Sequence, residues 1–208
     1  MARPFHDRAD AGHVLATRLT AYAHHPQVQV LALPRGGVPV AFEVAQALQA
    51  PLDVFLVRKL GVPGYEELAM GAVATGGVRV LNEEVIRTLA IPPEVIETVT
   101  LAEQQELARR EQLYRGEQPP LAVRGCILIL VDDGLATGAT MRAAVAALCQ
   151  QHPVRLIIAV PLAAVETCKA LRAEVDEIIC AFRGRFKIIS QCFQWHKWFD
   201  LILNVKQI

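Results

Sequence analysis

Short, mainly apolar runs recur along this chain, and each is followed by a loop and a segment with helical spacing. Five of these runs predict buried strands: Val28 to Leu33, Leu52 to Val57, Cys126 to Val131, Val154 to Val160 and Val175 to Cys180. Runs of this length are typical of strands covered on both faces, as in a parallel sheet. We therefore predict an α/β fold with an open parallel sheet of about five strands, flanked by helices.

Helical periodicity predicts the elements between these strands. The predicted helices are Asp10 to Ala23, Val40 to Leu48, a short helix that starts at Asn82, Pro93 to Arg115, Met141 to Cys149 and Ala163 to Arg172. A parallel sheet requires such crossover segments, because consecutive parallel strands cannot be joined by a tight turn.

One stretch departs from this alternation of strands and helices. Three turn-forming residues predict that Leu60 to Met70 is a loop: Gly61, Pro63 and Gly64. The two short apolar runs on either side of Gly76-Gly77 predict a small hairpin.

The composition limits the domain organisation and the class of partner. The 208 residues are 53% hydrophobic, which is enough for a single domain over 1–208, with a core over 28–180 and an atypical C-terminal segment over 181–208. Lys and Arg total 21, as do Asp and Glu, so no nucleic-acid partner is expected. A nearly neutral, apolar chain also favours self-association, which is compatible with a homodimer.

The same sequence bears on the compartment. The N-terminal residues lack the apolar core of a secretory signal, and the longest apolar run, Leu156 to Val165, is too short to span a bilayer. The five cysteines are widely spaced and include no C-x-x-C pair, which is typical of reduced, mostly buried thiols. We expect a cytoplasmic protein without a membrane partner.

The stretch Cys126 to Arg142 combines a strand, an acidic pair, a small-residue loop and a helix. Asp132 and Asp133 follow the strand directly. In an open parallel sheet, ligands bind beyond the carboxyl ends of the strands, and a helix N-terminus at that edge suits a phosphate. The candidate phosphate-binding residues are Ala136, Thr137, Gly138, Ala139 and Thr140. The small residues permit close approach to the backbone, and the hydroxyls add donors.

The two carboxylates indicate the second part of the ligand that this stretch could bind. Their oxygens could accept hydrogen bonds from two vicinal sugar hydroxyls, or they could hold a hydrated Mg²⁺. A phosphate at one end and a diol at the other describe a ribose 5-phosphate. Val131 to Thr140 resembles the phosphoribosyl-pyrophosphate signature of the type I phosphoribosyltransferases.

Two further groups of residues fit an anionic ligand. Arg35-Gly36-Gly37 follows the first strand and forms a loop whose N–H groups can face an anion, with Arg35 as a bidentate clamp. In the resembled family, this loop holds the pyrophosphate. Arg58 and Lys59 follow the predicted strand Leu52 to Val57, and we predict a second clamp on phosphate oxygens there.

The resemblance covers roughly Val28 to Cys180 and extends to a group of bacterial phosphoribosyltransferase-like proteins whose acceptor is generally not assigned. It implies transfer of ribose 5-phosphate from phosphoribosyl pyrophosphate to a nitrogen acceptor such as a nucleobase, with release of pyrophosphate. It also implies Mg²⁺ as cofactor, held indirectly by Asp132 and Asp133 through ribose hydroxyls or water. Arg35 and Lys59 would neutralise the leaving group.

The resemblance also bears on the acceptor. Family members that act on 6-oxopurines usually carry an acid where this chain has Ala136, so the pattern is closer to that of the adenine enzymes. Their proton acceptor is typically a carboxylate on a mobile loop that closes over the site. Glu66 or Glu67 would serve here, and Glu67 is the candidate catalytic residue.

Two alternatives stay open at this stage. A non-catalytic protein on the same fold would sense phosphoribosyl pyrophosphate or a nucleotide, although the intact Arg35-Gly36-Gly37 loop favours the enzyme. The segment 181–208 is rich in aromatic and basic residues. In the resembled fold such a segment forms a hood over the acceptor, where Phe193 or Trp195 would stack on a base; otherwise these aromatic side chains pack as core.

Overall fold

The computed structural model describes residues 5–184, which form two sheets with helices packed against them. The strands are β1 (Val28–Ala32), β2 (Leu52–Val54), β3 (Val57–Val62), β4 (Tyr65–Ala74), β5 (Val78–Leu81), β6 (Ile127–Val131), β7 (Arg155–Ala164) and β8 (Glu177–Gly184). The helices are α1 (Arg8–Ala16), α2 (Gly37–Leu48), α3 (Glu83–Thr88), α4 (Pro93–Arg115), α5 (Ala139–Cys149) and α6 (Val165–Leu171), with a 3-10 turn at Thr20–Tyr22.

The larger sheet has five parallel strands in the order β2-β1-β6-β7-β8. The prediction of an open parallel sheet of about five strands is therefore confirmed. The chain moves outward from β1 through α2 to β2, and outward in the other direction from β6 through α5 to β7. The junction of β1 and β6 is thus the point where the strand order reverses, and ligands of open α/β sheets bind at such points.

Both faces of this sheet are covered by helices. Along β6, Leu128 and Leu130 face the core that includes α5, whereas Ile127, Ile129 and Val131 face the core that includes α1 and α2. All five residues of β6 are buried. A strand covered on both faces needs apolar side chains at every position, which explains its unbroken apolar run.

The smaller sheet is antiparallel, in the order β3-β4-β5, and α3 and α4 pack against it. The hairpin predicted around Gly76-Gly77 is present, because β4 and β5 flank these glycines. The prediction of a loop over Leu60 to Met70 is wrong, because β3 and β4 form a long hairpin whose turn contains Pro63 and Gly64. The turn-forming residues mark only its tip.

The predicted strand Leu52 to Val57 is also corrected. Its first part is β2 in the parallel sheet, and its last residue begins β3 in the antiparallel sheet. Between them, the Phe55 N–H donates to Ala32 O at 2.9 Å and the Leu56 N–H donates to Thr75 Oγ1 at 3.0 Å. The chain thus passes from one sheet to the other while its backbone groups remain paired, and the apolar run continues because both sheets bury it.

The remaining boundaries differ from the prediction in small ways. The structure confirms α4 at its predicted limits, whereas α1 ends at Ala16 and is followed by the separate 3-10 turn. Strand β7 continues to Ala164, so α6 begins at Val165. Among the helices formed by residues 5–184, none has the length and apolar character needed to cross a membrane. Phe193 and Trp195 lie outside the described residues.

Candidate active site

The loop after β1 and the acids after β6 are in direct contact at the sheet edge. The Leu33 N–H donates to Val131 O at 2.9 Å. A Cβ atom added at Gly36 would lie 2.2 Å from an Asp133 carboxylate oxygen, and one added at Gly37 would lie 2.7 Å from Val131 O. These positions need glycine because another chain segment approaches their backbone closely. The structure therefore brings together two motifs that are far apart in the sequence.

Arg35 lies at the start of this glycine loop. The Pro34–Arg35 peptide bond is cis, and the Arg35 side chain is exposed beside Gly36. This exposure leaves the guanidinium accessible to a ligand at the edge of the sheet.

Asp133 is held by an arginine from the N-terminal helix. Arg8 Nε and Nη2 both donate to Asp133 Oδ2, at 3.0 and 2.8 Å. Both side chains are nearly buried, at 12% and 10% exposed. Charge-assisted hydrogen bonds of this kind fix a carboxylate strongly, so Arg8 orients Asp133 relative to Gly36.

Asp132 lies beside this ion pair in a different electrostatic environment. Its Oδ1 accepts a hydrogen bond from the Asp133 N–H at 2.8 Å. Burial of the carboxyl group raises the pKa of Asp132 well above its ordinary value, and the neighbouring negative charge of Asp133 raises it further. A cation or a hydroxyl donor at this position would favour the charged form of the Asp132 carboxyl.

The loop from Leu135 to Thr140 is attached to the sheet and to α6. The Leu135 N–H donates to Leu162 O at 2.8 Å, and the Ala164 N–H donates to Leu135 O at 2.9 Å. Thr167 Oγ1 donates to Ala136 O at 2.5 Å. These bonds fix the loop just before the N-terminus of α5.

Gly138 connects this loop to α5. It has a φ of +77°, and an added Cβ would lie 2.6 Å from Thr167 Cγ2, so both conformation and space require glycine. The first backbone N–H groups of a helix lack intrahelical partners and suit an anion. Thr137, Ala139 and Thr140 are exposed around this N-terminus, where a ligand can reach them.

A groove of 640 Å³ lies between the β3–β4 hairpin, α4 and the start of α5. Its polar lining residues are Arg58, Lys59, Glu66, Thr98, Glu103 and Thr140. Thr140 therefore belongs both to the helix N-terminus and to the groove, and it connects the two parts of the candidate site.

The structure places Arg58 and Lys59 differently from the sequence expectation. Both lie within β3 of the antiparallel sheet, not beyond the carboxyl end of a parallel strand. Arg58 Nε donates to Glu103 Oε2 at 2.6 Å, so its charge is already paired with α4. Both residues nevertheless line the groove, within one cavity of Thr140.

The two candidate carboxylates of the hairpin also differ in position. Glu66 lines the groove, and its Oε1 accepts a hydrogen bond from the Gly64 N–H at 3.3 Å. Glu67 is exposed and does not belong to the groove lining that the structure describes. On geometry alone, Glu66 is the better placed of the two.

Sequence reasoning missed Arg8 and Glu103 as site residues. Arg8 is 125 residues from Asp133, and no local spacing connects them. Phe5 to Gly12 also resembles the bacterial phosphoribosyltransferase-like group, and this is the signal that could have indicated Arg8. Glu103 lies on α4, and the polar pattern of that helix does not indicate which of its side chains lines the groove.

Comparison with known proteins identifies the family of this chain. The family model "Phosphoribosyl transferase domain" matches residues 8–193. Two proteins from Mycobacterium tuberculosis, strains CDC 1551 and H37Rv, are each 45% identical over 176 residues and are named "Putative phosphoribosyl transferase". The match covers 85% of this chain but only 40% of each relative, so the chain spans two fifths of the length of these curated proteins.

Solved structures share the fold of this chain. The crystal structure of TT1426 from Thermus thermophilus is 40% identical, with a TM-score of 0.77, over 86% of this chain and 85% of that one. The AQ2163 protein from Aquifex aeolicus is 12% identical, with a TM-score of 0.51, over 86% of this chain and 75% of that one, and it shows the fold alone. The chain belongs to the phosphoribosyl transferase domain family.

Proposed function

We propose that this protein transfers ribose 5-phosphate from phosphoribosyl pyrophosphate to a nitrogen acceptor, such as a nucleobase, and releases pyrophosphate. The observation that carries the proposal is the contact between the Gly36-Gly37 loop and the Asp132-Asp133 pair beside the N-terminus of α5. This edge offers N–H groups, carboxylates and hydroxyls in one place. Phosphoribosyl pyrophosphate has a vicinal diol with an anionic group on each side of it. Its phosphates are complementary to the N–H groups of the site, and its diol is complementary to the carboxylates.

The roles of the residues follow from their positions. Residues 136–140 would hold the 5-phosphate with backbone N–H groups and the hydroxyls of Thr137 and Thr140. The loop with Arg35 would hold the pyrophosphate, whose charge increases as the bond to the anomeric carbon breaks. Asp132 and Asp133 would hold the ribose hydroxyls while positive charge develops on the sugar. Catalysis of this kind rests on positioning and electrostatics.

The donor set at the sheet edge fits Mg²⁺. Mg²⁺ is usually held by one or two carboxylates, with substrate phosphates and water as its other ligands. Asp132 and Asp133 would supply the carboxylates, directly or through water, and the raised pKa of Asp132 marks a place where added positive charge is favourable. When bound, the ion would neutralise charge on the pyrophosphate.

The acceptor would enter from the groove beside the β3–β4 hairpin. Lys59 and Glu66 both line this groove. Lys59 would attract the leaving pyrophosphate, and Glu66 would take a proton from the acceptor nitrogen. A carboxylate in this role needs only hydrogen-bond reach of the acceptor, directly or through one water molecule. Arg58 would hold Glu103 through their hydrogen bond and so fix the side of the groove that α4 forms.

The first test is calorimetry of the full chain with phosphoribosyl pyrophosphate and Mg²⁺. Binding is expected for the wild type, and the Asp132→Asn/Asp133→Asn variant should lose it. By analogy with removal of one oxyanion-hole donor, loss of each clamp should raise the activation barrier of the transfer by about 2–4 kcal/mol. The matched control is Glu117→Gln, which removes one carboxylate from an exposed loop and should leave binding unchanged.

The second measurement is release of pyrophosphate with a panel of nucleobases, with adenine and hypoxanthine as the first pair. Turnover with one base, lost in the double variant, supports the transferase. Tight binding of the donor without turnover on any acceptor would instead favour the sensing function. If the folded wild type binds no donor, both functions are rejected.

A further inference from the structure

Two cysteine thiols lie side by side away from the residues assigned to the reaction. The sulfur atoms of Cys168 on α6 and Cys180 on β8 are 3.6 Å apart. A disulfide requires about 2.0 Å, so the two sulfurs would have to approach each other by roughly 1.5 Å. Over residues 5–184 the remaining cysteines, Cys126 and Cys149, are free thiols as well.

The surroundings of Cys168 favour reaction at that sulfur. It lines a small cavity of 130 Å³ whose rim carries Lys169, Arg172 and Arg183. All three cations are exposed, so they surround the entrance with positive charge and leave it open to solvent. Cys168 itself is only 7% exposed, so an oxidant would reach it through this cavity. Thiolates form preferentially beside positive charges of this kind.

The two thiols have different acidities. The hydrogen bond from Cys180, together with the charges of Arg183 and Arg172, lowers the pKa of Cys168. The hydrogen bond to Cys168 and burial raise the pKa of Cys180. Cys168 is therefore the attacking sulfur, and Cys180 resolves the intermediate.

We propose that Cys168 and Cys180 form a reversible disulfide with small disulfide oxidants, and that its formation loosens the loop over residues 135–140. The Cys168 thiolate attacks one sulfur of the oxidant. A bond from Cys168 Sγ to that sulfur forms while the oxidant's S–S bond breaks, and the oxidant's other sulfur leaves as a thiolate. Cys180 then loses its proton to solvent and attacks Cys168 Sγ, which releases the second thiolate. Two protein thiols are oxidised by two electrons, and the oxidant is reduced to two thiols.

The connection to the loop runs through the residue before Cys168. Thr167 donates its hydroxyl to Ala136 O, and its methyl group occupies the space beside Gly138. A Cβ at Gly138 would already be 2.6 Å from that methyl group, so the contact has no spare room. Part of the approach of the two sulfurs would come from movement of α6 toward β8, and any such movement shifts Thr167 and with it the hydrogen bond to Ala136 O.

The chemistry is tested by equilibrating the full chain with defined ratios of reduced and oxidised glutathione. After acid quenching and alkylation, the oxidised wild type should carry two alkyl groups fewer than the reduced wild type and yield a peptide that links Cys168 to Cys180. Cys149→Ser, the control at an exposed thiol, should behave as the wild type, whereas Cys168→Ser and Cys180→Ser should not form the link. A stable glutathione adduct at Cys168, or a link to Cys192 instead, would overturn the proposal.

The conformational part is tested by hydrogen exchange at residues 135–140. Amide exchange should be severalfold faster in the oxidised wild type than in the reduced wild type, and unchanged by the oxidant in Cys168→Ser, which lacks the attacking sulfur. Equal exchange in a sample shown to be fully linked would reject the effect on the loop. Neither readout requires transfer activity, so failure of the proposed reaction would not affect this result.

Discussion

The two sheets hold their candidate residues in opposite ways. At the edge of the parallel sheet, a Cβ at Gly36, Gly37 or Gly138 would lie 2.2, 2.7 or 2.6 Å from another atom. At the tip of the β3–β4 hairpin, a Cβ at Gly64 would meet nothing within 4 Å, and Tyr65 is 72% exposed. The pairing of β3 with β4 also shifts register near this tip.

Under the proposed function, the two regions would bind different substrates. The groups that would hold the donor substrate are backbone atoms and carboxylates fixed by close packing, so their geometry tolerates little change. The groups that would meet the acceptor lie on an exposed hairpin with irregular pairing, where local structure can change at small energetic cost. A fixed donor site and an adaptable acceptor site can be tested separately.

The largest expected effect comes from removal of Arg8. Arg8→Ala leaves the nearly buried Asp133 carboxylate without this partner, which typically lowers the free energy of unfolding by about 3–5 kcal/mol. Chemical denaturation measures the loss. The double variant Arg8→Met/Asp133→Asn should recover most of it, because it removes both charges. Equal stability of Arg8→Ala and wild type would mean that the pair does not fix the donor side.

The next effect separates the two carboxylates of the hairpin. Glu66→Gln should lower kcat about 100-fold, since general bases typically contribute at least that much. Glu67→Gln, the adjacent isosteric control, should change kcat less than about twofold because the side chain is exposed outside the groove. Steady-state pyrophosphate release measures both. The reverse order of effects would restore Glu67 as the base.

A methyl group at Gly36 tests the packing of the donor site. In Gly36→Ala the added carbon would meet the Asp133 carboxylate. Overpacking of this kind typically costs about 1–3 kcal/mol of conformational free energy. Because the donor-bound geometry would bear this cost, donor binding should weaken about 5- to 150-fold. The control is Gly77→Ala, where the φ of +74° strains the backbone but no atom lies within 4 Å of the new carbon. It should lower the stability and leave the donor Kd unchanged. Matching Kd changes in both variants would show that strain, not contact, is responsible.

The smallest effect concerns the stability contributed by Asp132. Its pKa is higher in the folded protein than in the unfolded chain, so the folded state binds this proton more tightly. Stability from this group is fully present below the unfolded pKa and is lost as the pH rises through the raised folded pKa. Asp132→Asn should therefore raise the melting temperature at pH 7 and flatten its dependence on pH in the acidic range, while donor binding is lost. A lower melting temperature at pH 7 would contradict the assignment.

Elements with one dominant local signal could be predicted from the sequence. Strand β6 is apolar at every position because both faces are covered, and α4 begins at Pro93 and ends before Gly116, which mark helix limits. The loop with Gly138 was also found in advance, since its small residues, acids and threonines occur together in one short stretch.

The features that sequence reasoning missed depend on tertiary contacts. The β3–β4 hairpin was interpreted as a loop because Pro63 and Gly64 form its turn and Gly61 lies just before it, while the pairing that defines the hairpin comes from residues on either side. Arg58 was expected to face a phosphate, but its ion pair with Glu103 joins two elements that are distant in sequence. The pairing of Arg8 with Asp133 has the same origin.

The order of strands in the parallel sheet has a consequence for how the protein folds. Strand β1 pairs with β6, yet α2, the whole antiparallel sheet and α4 lie between them in the chain. Pairing over such a separation is slow, because the loop-closure entropy is lost before the contacts form. During synthesis one edge of β1 must wait for β6 to emerge from the ribosome. The Gly36 and Asp133 surfaces meet only then, so a ligand that bridges them would bind once β1 and β6 have paired and would stabilise that pairing by mass action.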